Sequence, residues 1–161
     1  MTMLTGNNQE RHELLILRTF AAPRDLVFKA WTDPECMLNW AGPKGFTAKG
    51  DQLDVRPGGN HRACLIAPNG EEHWVSGKYL EVLPPRRLVF THAWELANGE
   101  RSPETVVTVD LTEKDGATQM RFHQAFFESV ASRDGHEGGW TESFERLARF
   151  LDTDFSGASK P

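Results

Sequence analysis

The chain has 161 residues, 39% of them hydrophobic and 25% charged, with a formal net charge of −5; this fits one domain of ordinary size around a single core. Acidic and basic residues are interspersed with no block of like charge, which argues against a nucleic-acid footprint or a polybasic membrane surface. The longest apolar run is LLIL at 14–17, far below the ~20 residues a membrane span needs, and two cysteines without CxxC spacing make no disulfide framework.

Residues 1–11 are polar and aperiodic and read as a flexible arm. They lack the basic and apolar regions of a secretory signal, so a reduced, cytoplasmic protein is the expectation. HELLILRTF (12–20) has the length of a strand. In AAPRDLVFKAWTDPE, Pro23 opens a helix at a position where its missing N–H costs nothing, and Leu26, Val27, Ala30 and Trp31 form its apolar face. Pro34 stops that helix, and Asp33 is placed to cap a second short one through Met37 and Trp40. AGPKG (41–45) breaks the chain.

From 46 to 127 the pattern is of six antiparallel strands joined by short turns. Turn signals fall at Pro57-Gly58-Gly59, at PNG (68–70), at Pro84-Pro85, at ANGERSP and at EKDG (113–116). A meander of this kind curls strongly. The last element is a helix over roughly 137–152, where Trp140, Phe144, Leu147, Ala148 and Leu151 make a stripe of helical period. GHEGG before Trp140 reads as a loop entering that helix, and residues 154–161 as a flexible tail.

Six stretches carry a family resemblance in the right order: APRDLVFKAWTDPE, NWAGPKGF, DVRPGG, PNGEE, GKYLEVLPPRRLVFT and GGWTESFERLARFL. Together they resemble the AHSA1-like branch (activator of heat-shock chaperone ATPase homologue-like) of the START/birch-pollen-allergen superfamily, also called SRPBCC. The resemblance runs from about 13 to 152 and implies one domain over 12–153. The implied fold class is α+β, the helix-grip fold. In it a curved seven-stranded antiparallel sheet wraps around a long C-terminal helix, with two short helices after the first strand. It also implies an apolar cavity between sheet and helix; members include lipid and polyketide binders, a few cyclases and many proteins of unassigned role. The eukaryotic chaperone activator has a further N-terminal domain, so the resemblance implies this domain's fold and not the activator's function.

Strand alternation then selects candidate ligand-binding residues. His61, Ala63 and Leu65 share one face, which the family resemblance makes the concave one; Ala63 leaves room there, and His61 is either a polar handle in an apolar pocket or a strand-end histidine bonded to a carbonyl. The GKYLEV stretch implies by resemblance that Tyr79 and Glu81 point inward, with Glu81 the partner of the Tyr79 hydroxyl, and Gly77 reads as permitting a bulge or sharp coil. Leu88, Phe90, His92 and Trp94 form one stripe, and Met120, Phe122 and Gln124 a matching one. His92 and Gln124 are either a polar pair at the end of a greasy cavity or bonded to each other or to backbone. Trp140 closes one end of the grip, and Phe144 lies one turn further on.

Six histidines prompt a search for metal sites, but their spacing gives no HxxxH and no His-Cys-Cys cluster. The expectation is therefore no metal and no cofactor. No nucleophile or nucleotide-binding motif is present. Three functions compete. One is a binder of a small hydrophobic molecule. The second is a cyclase- or hydrolase-type enzyme using His61, His92 or Glu81 as general acid or base. The third is an interaction module acting on a chaperone or regulator, which an exposed patch centred on Trp74 would favour. The first fits best, because the polar groups are few and scattered within apolar stripes; homodimerisation stays open.

Overall fold

A computed structural model describes residues 12–155; the arm expected at 1–11 and the tail at 156–161 lie outside the described residues. Strand β1 (Glu13–Phe20) leads to helix α1 (Arg24–Thr32) and the one-turn α2 (Pro34–Met37). Six strands follow: β2 (Thr47–Leu53), β3 (Asn60–Ile66), β4 (Glu72–Leu83), β5 (Arg87–Trp94), β6 (Thr105–Lys114) and β7 (Ala117–Ala125). Helix α3 (Val130–Arg149) closes the fold, and its last turn widens to π geometry over Phe150–Phe155, taking in 154 and 155 of the expected tail. The seven strands make one antiparallel sheet in the order β1-β7-β6-β5-β4-β3-β2. Strands β2 to β7 are thus a meander, and β1 returns to cover β7. This is the helix-grip arrangement.

The helix ends are fixed by side chains as the sequence suggests, with one addition. Asp33 Oδ1 accepts from Glu35 N–H at 2.9 Å and caps α2. At the start of α1, the Arg24 N–H donates to Glu113 Oε1 of β6 at 2.8 Å. That carboxylate sits at the positive end of the α1 dipole and ties the helix to the sheet. Thr118 on β7 donates to the Ala22 carbonyl at 2.7 Å and fixes the same corner from beneath.

Helix α3 begins seven residues earlier than the apolar stripe suggests. Ser129 caps it, accepting from Ser132 N–H at 3.0 Å, so the GHEGG stretch is helix and not loop. Three glycines inside a helix cost about 1 kcal/mol each against alanine. The first half of α3 therefore carries almost no intrinsic preference, and packing of its second half holds it. Phe144 and Leu147 are wholly buried. The Trp140 ring lies 4.7 Å from Phe122 and 5.5 Å from Phe144.

The helices pack on β1, β6 and β7. Under them Val107, Met120, Phe122 and Gln124 are wholly buried, and Trp31 of α1 stacks on Phe122 at 6.2 Å. Strands β2 to β5 curl past this packed half, and their concave face is only partly covered. That asymmetry creates the site.

Candidate functional site

Between the β2–β5 half of the sheet and the helices lies a cavity of about 700 Å³. Its floor is built by alternation: His61, Ala63 and Leu65 from β3, His73, Val75 and Tyr79 from β4, and Leu88, Phe90, His92 and Trp94 from β5. Trp31, Met37 and Trp40 form its roof, and Pro43 and Phe46 its rim. Gly135, His136, Gly139 and Trp140 of α3 complete the wall. The rim loop is pinned to α3, because the Arg146 guanidinium donates to the carbonyls of Ala41, Gly42 and Pro43 at 2.9–3.1 Å. Burial of this guanidinium lowers its pKa from the ordinary arginine value.

Of the thirteen candidate residues, the structure brings eight to the cavity wall: His61, Ala63, Leu65, Tyr79, Phe90, His92, Trp94 and Trp140. The other five lie elsewhere. Met120 and Phe122 of β7 are core beneath the helices and Phe144 is core on the inner face of α3, all with no exposure. Gln124 is equally buried, and both ends of its amide are used. It accepts from the Trp140 indole N–H at 2.8 Å and donates to Thr105 Oγ1 at 2.9 Å, while Thr105 donates on to the His92 carbonyl at 3.0 Å. Gln124 therefore joins sheet to helix and does not pair with the His92 ring.

Glu81 points the other way. The β4–β5 register slips by one residue between Tyr79 and Glu81, and a one-residue slip moves every later side chain to the opposite face. Glu81 is exposed and accepts from Arg87 Nε at 3.1 Å. It is not the partner of Tyr79. Among the described residues the Tyr79 hydroxyl has no hydrogen-bond partner, although the residue is 2% exposed and lines the cavity.

Gly77 explains how His61 sits. An alanine Cβ there would stand 1.9 Å from the Thr91 carbonyl oxygen and 2.6 Å from His61 Nε2. The bare backbone lets the imidazole cross to β5, where His61 Nε2 bonds the Thr91 carbonyl at 2.7 Å. Lys78 N–H bonds the Thr91 side-chain oxygen at 2.9 Å. A carbonyl only accepts, so Nε2 carries the proton and Nδ1 is left as an acceptor. Burial lowers the His61 pKa from its ordinary value. It pushes His92 down to about 3, with the neighbouring His136, His61 and Arg101 adding to the shift. Burial, helped by Asp54, also pushes the Tyr79 phenol far above its ordinary value.

His136 and Trp94, with His92 beside them, form the partition at one end of the cavity. The Trp94 indole N–H donates to His136 Nε2 at 3.0 Å, and His136 Nδ1 donates to the Ser132 carbonyl at 2.7 Å. Those partners require a neutral ring with its proton on Nδ1. His136 was not among the sequence candidates because its stretch reads as loop. Once the helix starts at 130, its place one turn before Trp140 shows that both face the sheet. Trp31 was legible on the apolar face of the first helix; Trp40 was expected in the second, which ends at Met37 and leaves Trp40 in the turn beyond it, and both rings are also roof.

His61 and His73 do not meet across the hairpin: His61 is opposite Gly77 and His73 opposite Leu65. Among the described residues no group of three or more His, Cys, Asp and Glu is gathered to hold a metal ion. Trp74, on the convex face, is half-buried, with the Arg62 guanidinium 3.9 Å over its ring and Lys49 at 5.6 Å. It is not the centre of an exposed aromatic patch.

Residues 21–152 match the family model of Activator of Hsp90 ATPase homolog 1-like proteins. The chain belongs to that family. This AHSA1-like protein is similar in structure to the AHSA1 protein from Silicibacter pomeroyi, with a TM-score of 0.81 and 28% identity over 88% of this chain and 99% of the other. A protein from Chromobacterium violaceum gives 0.79 and 25% over 87% and 96%. One from Arthrobacter aurescens gives 0.81 over 89% and 87%, and at 23% identity that likeness shows the fold. Among curated proteins none matches the AHSA1-like chain. No helix among its described residues is long and apolar enough to cross a membrane.

Proposed function

We propose that this AHSA1-like protein binds a small hydrophobic molecule in the cavity between the β2–β5 half of the sheet and the helices. The cavity itself supports the reading. At about 700 Å³ it lies in the range of small-molecule sites, and its walls are mostly aromatic and aliphatic with a few polar groups. A general acid–base enzyme gains less support. Glu81 is outside the cavity, burial pushes His92 down to about 3, far from the range of a base that works near neutral pH, and the His61 N–H is committed to the Thr91 carbonyl. An interaction module centred on Trp74 gains none, since basic side chains cover that ring.

A thermal-shift screen of apolar compounds against wild type and Ala63→Trp tests the proposal. A compound at a hundred times its dissociation constant adds about 2.7 kcal/mol. For a chain of this length that corresponds to a rise in Tm of about 5–10 °C. The Ala63→Trp ring occupies the space a ligand would take, so the variant should keep its stability and lose the shift. In a filled core the same change would overpack the site and cost about 1–3 kcal/mol. A badly destabilised variant, together with no stabilising compound, would overturn the reading.

A further inference from the structure

The cavity is apolar, but its polar groups are not random in charge. Among its lining residues the one Lys, Arg, Asp or Glu is Arg62, and that guanidinium is engaged elsewhere. It bonds both carboxylate oxygens of Glu95 at 2.8 and 2.9 Å and stacks on Trp74 at the convex face. His73, half-buried at the cavity's edge, stands 3.4 Å from the Glu71 carboxylate. The deeper imidazole of His61 has committed its N–H to the Thr91 carbonyl and offers Nδ1 as an acceptor. Beside it, with ring centroids 5.5 Å apart, stands Tyr79, whose hydroxyl lacks a partner among the described residues. Burial keeps both groups in their neutral forms. This hydroxyl stands in the cavity wall with no protein acceptor among the described residues, so it is able to donate to an acceptor on a ligand.

We propose that the cavity selects uncharged ligands bearing a carbonyl or hydroxyl at one end, received by the Tyr79 hydroxyl and His61 Nδ1, and rejects the matching carboxylates. This rests on the hydrophobic-ligand reading above. A carboxylate brought into this cavity loses its hydration and meets a lining whose one Lys or Arg, Arg62, is already engaged by Glu95, and such burial is strongly unfavourable. A ketone or alcohol of the same shape loses little hydration and gains one or two hydrogen bonds. The ligand class is therefore narrower than "hydrophobic": a neutral, partly aromatic carbonyl or hydroxyl compound and not a fatty or aromatic acid.

The test is a calorimetric titration at pH 7.5 with three probes of nearly one shape: 2-acetylnaphthalene, naphthalene-2-carboxylate and 2-ethylnaphthalene. Wild type and Tyr79→Phe are compared, the latter keeping the ring that packs on His61 and Phe90. The ketone is expected to bind wild type about a hundredfold more tightly than the carboxylate. Tyr79→Phe should weaken the ketone by about fivefold to tenfold, the worth of one hydrogen bond, and leave the ethyl compound unchanged. Equal affinity for ketone and carboxylate, or equal loss of ketone and ethyl compound in the variant, overturns this proposal and leaves the hydrophobic-ligand reading standing. If none of the three binds, this proposal falls, and the broader reading is decided by the thermal-shift screen with Ala63→Trp.

Discussion

Gly77→Ala should destabilise this protein although strand propensity alone points the other way. A glycine inside a strand costs roughly 0.5–1 kcal/mol against alanine, so the substitution would ordinarily help. Here the new Cβ would lie 1.9 Å from the Thr91 carbonyl oxygen and 2.6 Å from His61 Nε2, and neither distance is tolerable. Either β5 moves away, at an overpacking cost of about 1–3 kcal/mol, or the strand shifts and His61 also releases Thr91, losing a bond worth about 1 kcal/mol. Set against the propensity gain, the net loss is about 2 kcal/mol, or about 4–8 °C in Tm for a chain of this length. Urea melts followed by circular dichroism at pH 7.5 measure it, with the slope m expected to stay constant. A variant as stable as wild type, or more so, would refute the account of why His61 can reach across to β5.

The opposite sign is expected at Gly138→Ala, where a Cβ meets nothing within 4 Å on helix α3. The gain should be about 0.5–1 kcal/mol and a Tm rise of about 1–4 °C in calorimetry; a fall would show that the glycine serves the cavity wall. A pH dependence follows from His92, whose value is about 3 in the fold against an ordinary 6.5. Below pH 6.5 the unfolded chain takes a proton that the folded one refuses. Stability is thus fully present above pH 6.5 and is lost toward pH 3 at about 1.4 kcal/mol per unit, about 2 kcal/mol by pH 5. His61, also lowered, acts in the same direction. Urea melts at pH 7.5, 6 and 5 should show this slope in wild type and a flatter one in His92→Gln; equal slopes contradict the assignment.

Most of the fold was legible because its signals are local. Alternation in NHRACLI and RLVFTHAW, the PNG turn and the Pro23 and Asp33 helix starts each depend on a few neighbouring residues. The start of α3 was not, since its signal is a single serine cap followed by three glycines that tertiary packing overrides. The site divides in the same way. The β3 and β5 stripes could be read by parity up to the cavity, but parity fails at Glu81: Gly77 suggests a bulge in GKYLEV, yet the slip falls further on, between Tyr79 and Glu81, and no residue there marks it. Gln124 has the parity of a cavity residue and is nonetheless core, because which half of the sheet the helices cover depends on how the whole sheet curls.

Five tryptophans give a direct test of where a ligand sits. Trp31, Trp40, Trp94 and Trp140 all line the cavity, whereas Trp74 lies on the convex face beneath Arg62. Titrating the ¹⁵N-labelled protein with 2-acetylnaphthalene and following the indole N–H resonances reads all five at once. The signals of Trp94 and Trp140 should shift most, those of Trp31 and Trp40 should follow, and that of Trp74 should stay fixed. Movement of the Trp74 signal alone, with the other four unchanged at saturation, would contradict the cavity as the binding site.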